Sequence, residues 1–175
     1  MKIRPIEKMV KAEEALCIYE TAGGDTWVGT GRCMYNIGNI GKSPQQTIKW
    51  LFGLDSKEIE EYDTEIDGFF PPDDDSADYL PEDDPLGVIV GDTFGTIAEP
   101  HIFGGVVYML TTDRMAPLAG ECNLAYRYDT IAKRVVVMRG MFAVASISVA
   151  PANASREFFG KFETMLKLIK LQSKG

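Results

Sequence analysis

A single histidine, three scattered cysteines and the absence of any long apolar run limit what this chain of 175 residues can be. With one histidine, any reaction that needs an imidazole base must use His101. Cys17, Cys33 and Cys122 are odd in number, and they form neither a Cys-x-x-Cys motif nor a Cys/His pairing. That spacing excludes a disulfide framework and a zinc site, and it suits three reduced thiols in a cytoplasmic protein. A membrane span needs about 18 consecutive apolar residues. The longest candidate here, 141–150, is far shorter and contains Ser146 and Ser148, so no membrane partner is expected. The basic start through Lys2 and Arg4 is followed by Glu7, Lys8, Lys11, Glu13 and Glu14 rather than by the apolar core of a secretory signal.

Phosphate and metal signatures are missing as well. Gly41-Lys42-Ser43 before a helix invites a phosphate-loop reading, because backbone N–H groups and a lysine at a helix start attract phosphate. The full pattern needs a glycine where Asn36 stands, and Pro44 removes one of the N–H groups such a loop would use. Gly23-Gly24 and Gly29-x-Gly31 do not fit Gly-x-Gly-x-x-Gly, and they fall in a hairpin rather than at a strand-to-helix turn. A calcium-loop series starting at Asp73 reaches Ala77 at its third ligand position and lacks the turn glycine. No cofactor and no metal are therefore expected.

What is present is ordinary globular material, with 45% apolar and 25% charged residues, enough for one domain spanning 1–175. Residues 1–15 fit either a short helix after Pro5 or an extended arm. Strand formers occupy 16–21, 26–30 and 33–37, with Ala22-Gly23-Gly24-Asp25 turning the first pair. Gly29 and Gly31 mark a bulge or the close approach of another backbone. Ser43-Pro44-Gln45-Gln46 opens a helix over 44–52 that ends at Gly53, and a second short helix restarts at Asp55 or Ser56. Residues 71–85 carry four prolines and seven carboxylates, which predicts an exposed acidic loop.

Beyond that loop, strands are expected at 87–90, 105–111, 123–130, 133–139 and 142–149, the third and fourth forming a hairpin. Val135-Val136-Val137-Met138 reads as a central strand, apolar on both faces. Phe158, Phe159, Phe162, Met165, Leu166 and Ile169 follow helical spacing and place a long helix at 154–172. The whole reads as an α+β fold: a mostly antiparallel sheet of about six strands, with the two main helices (44–52 and 154–172) packed on it.

Charge is distributed unevenly. The net −8 conceals −15 in residues 55–99, where sixteen carboxylates face only Lys57, against +2 in 1–54 and +5 in 100–175. Such asymmetry speaks about partners rather than fold. Asp73, Asp74, Asp75 and Asp78 on the acidic side, and Arg127, Arg134 and Arg139 on the basic hairpin, are the candidate partner-binding residues.

Three functions compete. The preferred one is a non-enzymatic binding or assembly protein that contacts another protein, itself or a different one. A small hydrolase or transferase would have to use Cys122 or His101 with a carboxylate such as Glu121. A nucleic-acid accessory role would need Arg127, Arg134 and Arg139 on one face, and the overall acidity counts against it.

Overall fold

A computed structural model of the chain describes residues 1–41, 43–55, 57, 71–72, 78–83, 89–91, 96–152, 157–158, 160–161 and 164. Among the described residues it shows ten strands in two sheets, three fully described helices and a short 3-10 turn. The α+β class read from the sequence is the one observed. Helix α1 runs over Ile3–Glu13, which decides the N-terminal segment in favour of helix over an extended arm. Ile6 and Val10, one turn apart, are fully buried, and each contributes about 1.5–3 kcal/mol by leaving water. Pro5 sits in the first turn, where its missing N–H costs no hydrogen bond.

Strands β1 (Cys17–Glu20), β2 (Thr26–Gly29) and β3 (Cys33–Gly38) form an antiparallel meander. Its second turn is very tight. A Cβ placed on Gly29 would lie 1.8 Å from the Cys33 carbonyl oxygen, the close backbone approach that this glycine signals. Helix α2 (Pro44–Phe52) matches the expected 44–52 boundaries and stops at Gly53 in the left-handed region. At its start Ser43 makes no side-chain capping bond, and its carbonyl accepts from the Thr47 N–H and hydroxyl.

The expected acidic loop is not loop throughout. Tyr79–Pro81 forms β4, paired antiparallel with β8 (Leu124–Asp129) through Tyr79↔Asp129 and Pro81↔Arg127. A proline and flanking carboxylates are tolerated because β4 is the last strand of the sheet, where one flank needs no ladder partner. Three further strands follow: β5 (Val90–Gly91), β6 (Ile97–Phe103) and β7 (Val106–Thr111). Residues 99–103, outside the strands expected from the sequence, belong to β6, which carries Pro100 inside it. Helix α3 (Thr112–Met115) and a 3-10 turn at Ala116–Leu118 lead to β8, β9 (Arg134–Arg139) and β10 (Phe142–Ser148).

The large sheet has seven antiparallel strands in the order β1-β2-β3-β10-β9-β8-β4, one more than expected, and β5-β6-β7 form a separate second sheet. The two meanders of the large sheet join only where β3 pairs with β10, Tyr35 opposite Ala145. Strand β9 is central, and Val135 to Met138 are each at most 1% exposed, buried on both faces as the apolar run requires. On one face Val135, Val137, Tyr35 and Ile147 pack with Ile6, Ile48 and Phe52 of the helices and with Phe103, Tyr108 and Leu110 of the second sheet. On the other, Trp27, Met34, Val136 and Met138 form a distinct cluster.

The helix read at 154–172 lies mostly outside the described residues; Glu157, Phe158, Gly160, Lys161 and Thr164 are helical. Of the short helix expected from Asp55, Lys57 is helical, and its N–H donates to Asp55 Oδ1 at 2.9 Å. Within the described residues, no helix is long and apolar enough to cross a membrane.

Candidate functional site

Two places gather polar and aromatic groups. The first is the seam between the sheets. Alternation along β6 and β7 turns His101, Phe103 and Tyr108 toward Tyr126 and Tyr128 of β8. The ring centroids of His101 and Tyr126 are 4.3 Å apart, and those of Tyr108 and Tyr128 are 4.4 Å apart. Phe103 sits 5.8–5.9 Å from both of those tyrosines. The segment after β4 straps the seam: the Glu82 N–H donates to the Tyr126 carbonyl of the large sheet, and the Asp83 N–H to the Ile102 carbonyl of the small one.

The Glu82 carboxylate then accepts from His101 Nδ1–H at 2.7 Å. An ionised carboxylate can only accept, so the proton in this bond is the one on Nδ1. Nε2, which is buried, is without a hydrogen-bond partner among the described residues. Burial, reinforced by the Glu99 and Glu82 carboxylates, pushes the Tyr126 phenol up to about 12. Burial and a hydrogen bond with Tyr108 do the same for Tyr128.

The second place is a cleft of about 400 Å³ between the end of the large sheet and the start of α1. Ile3, Ile37, Leu118 and Val144 supply its apolar lining, while Asp25, Asn36, Glu121 and Arg139 bring polar groups to it. Arg139 donates to Glu121 Oε2 at 2.9 Å, and the Met1 amine donates to the other Glu121 oxygen. Those two cations, the amine first, hold the Glu121 carboxyl below the usual carboxylate range. Across the cleft, the Asn36 amide donates to Asp25 Oδ2 at 3.3 Å. Phe142 lines the rim yet is 70% exposed, and the neighbouring Met141 is 74% exposed.

The enzyme candidates therefore separate. His101 is 3% exposed, and its carboxylate partner is Glu82, nineteen residues back, rather than Glu99. Cys122 is exposed, its thiol lies 4.0 Å from the Gly120 carbonyl, and among the described residues no hydrogen bond joins it to His101. Glu121 belongs to the cleft. Cys33 is buried, which pushes its thiol up to about 11 and keeps it protonated and inert.

The basic hairpin separates as well. Register and alternation put Arg127, opposite Val136, and Arg134 on one face of the sheet, and Arg139, level with Val135 and Val137, on the other. Arg134 lies 3.5 Å from Asp129, and Arg139 is engaged by Glu121. Asp73, Asp74 and Asp75 lie outside the described residues; Asp78 is exposed, and its carbonyl accepts from Thr130. Among the described residues, no three metal-ligating side chains converge.

The reading from sequence named Glu121 and Arg139 but missed Glu82 and the cleft that joins those two. Glu82 gave no signal within a run of carboxylates, and the cleft's walls come from two distant segments, within residues 1–38 and 118–144. No protein-family model matches the chain, and neither a curated protein nor a solved structure shows detectable similarity to it.

Proposed function

We propose that this is a binding or assembly protein acting through protein–protein contacts, with a second copy of itself as the first partner to test. The observation that carries this reading is the exposure of large apolar side chains on otherwise well-packed elements. Trp50 on α2 is 80% exposed, and Met141 and Phe142 are more than two-thirds exposed at one hairpin. Single exposed apolar residues are ordinary, but an adjacent aromatic and methionine on one turn beside a cleft of mixed polar and apolar lining fit the anchor chemistry of interfaces.

The competing roles have less support. The histidine an enzyme would need is spent on tying two sheets together, and the thiol stands apart from it. The arginines a nucleic-acid face would need are divided between two faces, with Arg134 and Arg139 beside carboxylates.

Light scattering after size exclusion, across a dilution series at low and high salt, tests the proposal. A mass above the monomer at the higher concentrations is expected. A monomer at every concentration would overturn self-assembly.

A further inference from the structure

We infer that the groove between α1 and α3 receives an acidic peptide segment of a partner protein, its carboxylates against Arg4 and Lys8 and an apolar side chain between the two elements. This rests on the reading of a binding protein but not on self-assembly, and it uses a surface other than the Met141–Phe142 turn.

Helix α1 is held from both sides of its first turn. Ile6 and Val10 are fully buried in the core, and the Lys2 N–H donates to the Pro117 carbonyl, which fixes the start of the helix beside the 3-10 turn. Next to that buried stripe, Pro5 and Met9 of α1 and Ala116 after α3 line a groove of about 520 Å³. All three are only half-buried, so an apolar side chain seated among them removes their remaining surface from water. The volume is in the range of ligand sites, and both walls are packed on the core, so the groove is formed before any partner arrives.

The rim says which partner. Arg4 and Lys8 are exposed and, four residues apart, lie on one side of α1 at the edge of the groove. Among the described residues, neither side chain makes an ion pair or a hydrogen bond. Lys11, outside the lining, is by contrast paired with Glu7 at 3.1 Å. Asp113 is the one carboxylate among the lining residues, and it forms an ion pair with neither cation. Two unpaired cations beside an apolar floor match a ligand that joins carboxylates to an apolar side chain. A bare anion would leave the floor wet, and a neutral apolar peptide would leave the cations unused. A flat lipid surface fits less well, because the apolar stripe of α1 is already buried in the core. The −15 carried by residues 55–99 repels the same acidic segment, so charge both admits it here and excludes it there.

Fluorescence anisotropy with the full chain tests this, using a labelled synthetic peptide that alternates aspartate and leucine around one phenylalanine. One control peptide replaces the apolar residues by serine, and another replaces aspartate by asparagine. The parent peptide is expected to bind, less tightly as salt rises, with each control at least about tenfold weaker. Lys8→Glu is expected to weaken binding at least about tenfold. Lys11→Glu, the same charge change one turn along the same helix, is expected to cost less than about twofold. Both substitutions change exposed side chains, and circular dichroism checks that the fold is kept.

No binding of the parent peptide, or equal losses from the two substitutions, overturns the groove, while an oligomer in light scattering would leave assembly standing. A serine control as tight as the parent reduces the site to charge alone and also overturns it. Sedimentation with phosphatidylserine vesicles that Lys8→Glu abolishes, without peptide binding, would assign α1 to a membrane surface instead.

Discussion

At Gly29 the chain has no room for a single extra carbon, because the β2–β3 turn folds the Cys33 carbonyl back onto it. The obstacle is backbone, so it cannot swing aside as a side chain would. Gly29→Ala is expected to destabilise the fold by about 3 kcal/mol or more, through overpacking that forces the turn open. For a chain of this size that lowers the thermal midpoint by roughly 6–12 °C. Gly38→Ala is the control, since nothing lies within 4 Å of a Cβ there. It tests the separate strain of a positive φ of 77°. Equal midpoints for Gly29→Ala and wild type would refute the close approach. This glycine was legible in the sequence, because two glycines around a strand end leave few explanations. The partner of His101 was not: parity along β6 favours Glu99 on the same face, whereas the bond goes to a carboxylate in a different strand segment.

The element that decides how the two sheets stay together is the strap of residues 78–83 with the aromatic seam it closes. Its tyrosines carry a testable pH dependence. Tyr126 and Tyr128 have phenols raised from 10.0 to about 12 in the folded chain, chiefly by burial. A raised folded value means the native state holds its proton more tightly than the unfolded chain does. The stabilisation is therefore complete below about pH 10 and is lost as pH climbs toward 12. Tyr35, buried and donating to the Arg114 carbonyl at 2.6 Å, is shifted in the same direction. Alkaline titration followed by tyrosinate absorbance and near-ultraviolet circular dichroism is expected to show delayed phenol ionisation, coupled to loss of aromatic ellipticity. Phenols that ionise near their ordinary value with ellipticity intact would contradict a closed seam. Helix α2 was readable to the residue because a proline at its first position and a glycine stop punctuate it. Strand β4 was not, because an edge strand needs only one ladder and its sequence is dominated by what keeps its surroundings solvated.

Across the whole molecule the salient quantity is the concentration of fifteen net negative charges in residues 55–99. If those charges chiefly repel one another, raising ionic strength from about 0.01 M to about 0.15 M shortens their reach from roughly 30 to 8 Å and stabilises the fold. An increase of a few degrees in thermal midpoint is expected, corresponding to about 1 kcal/mol. A decrease would show that attraction between this stretch and the positive remainder dominates. The fold class was legible because hairpin-linked strands with few intervening helices leave little else to build. The seven-strand order was not, since it depends on a pairing that no local pattern encodes.

That pairing has a consequence for synthesis. Strand β3 is complete by residue 38, but its neighbour β10 begins at residue 142. At about 5–20 residues per second, the ribosome takes roughly 5–20 s to deliver the second half of the junction. During that interval the first meander carries an unpaired row of peptide groups along β3, flanked by the apolar side chains of Cys33, Met34 and Tyr35. The nascent protein is thus most exposed to aggregation midway through translation, and a chaperone that guards it has its work at that edge.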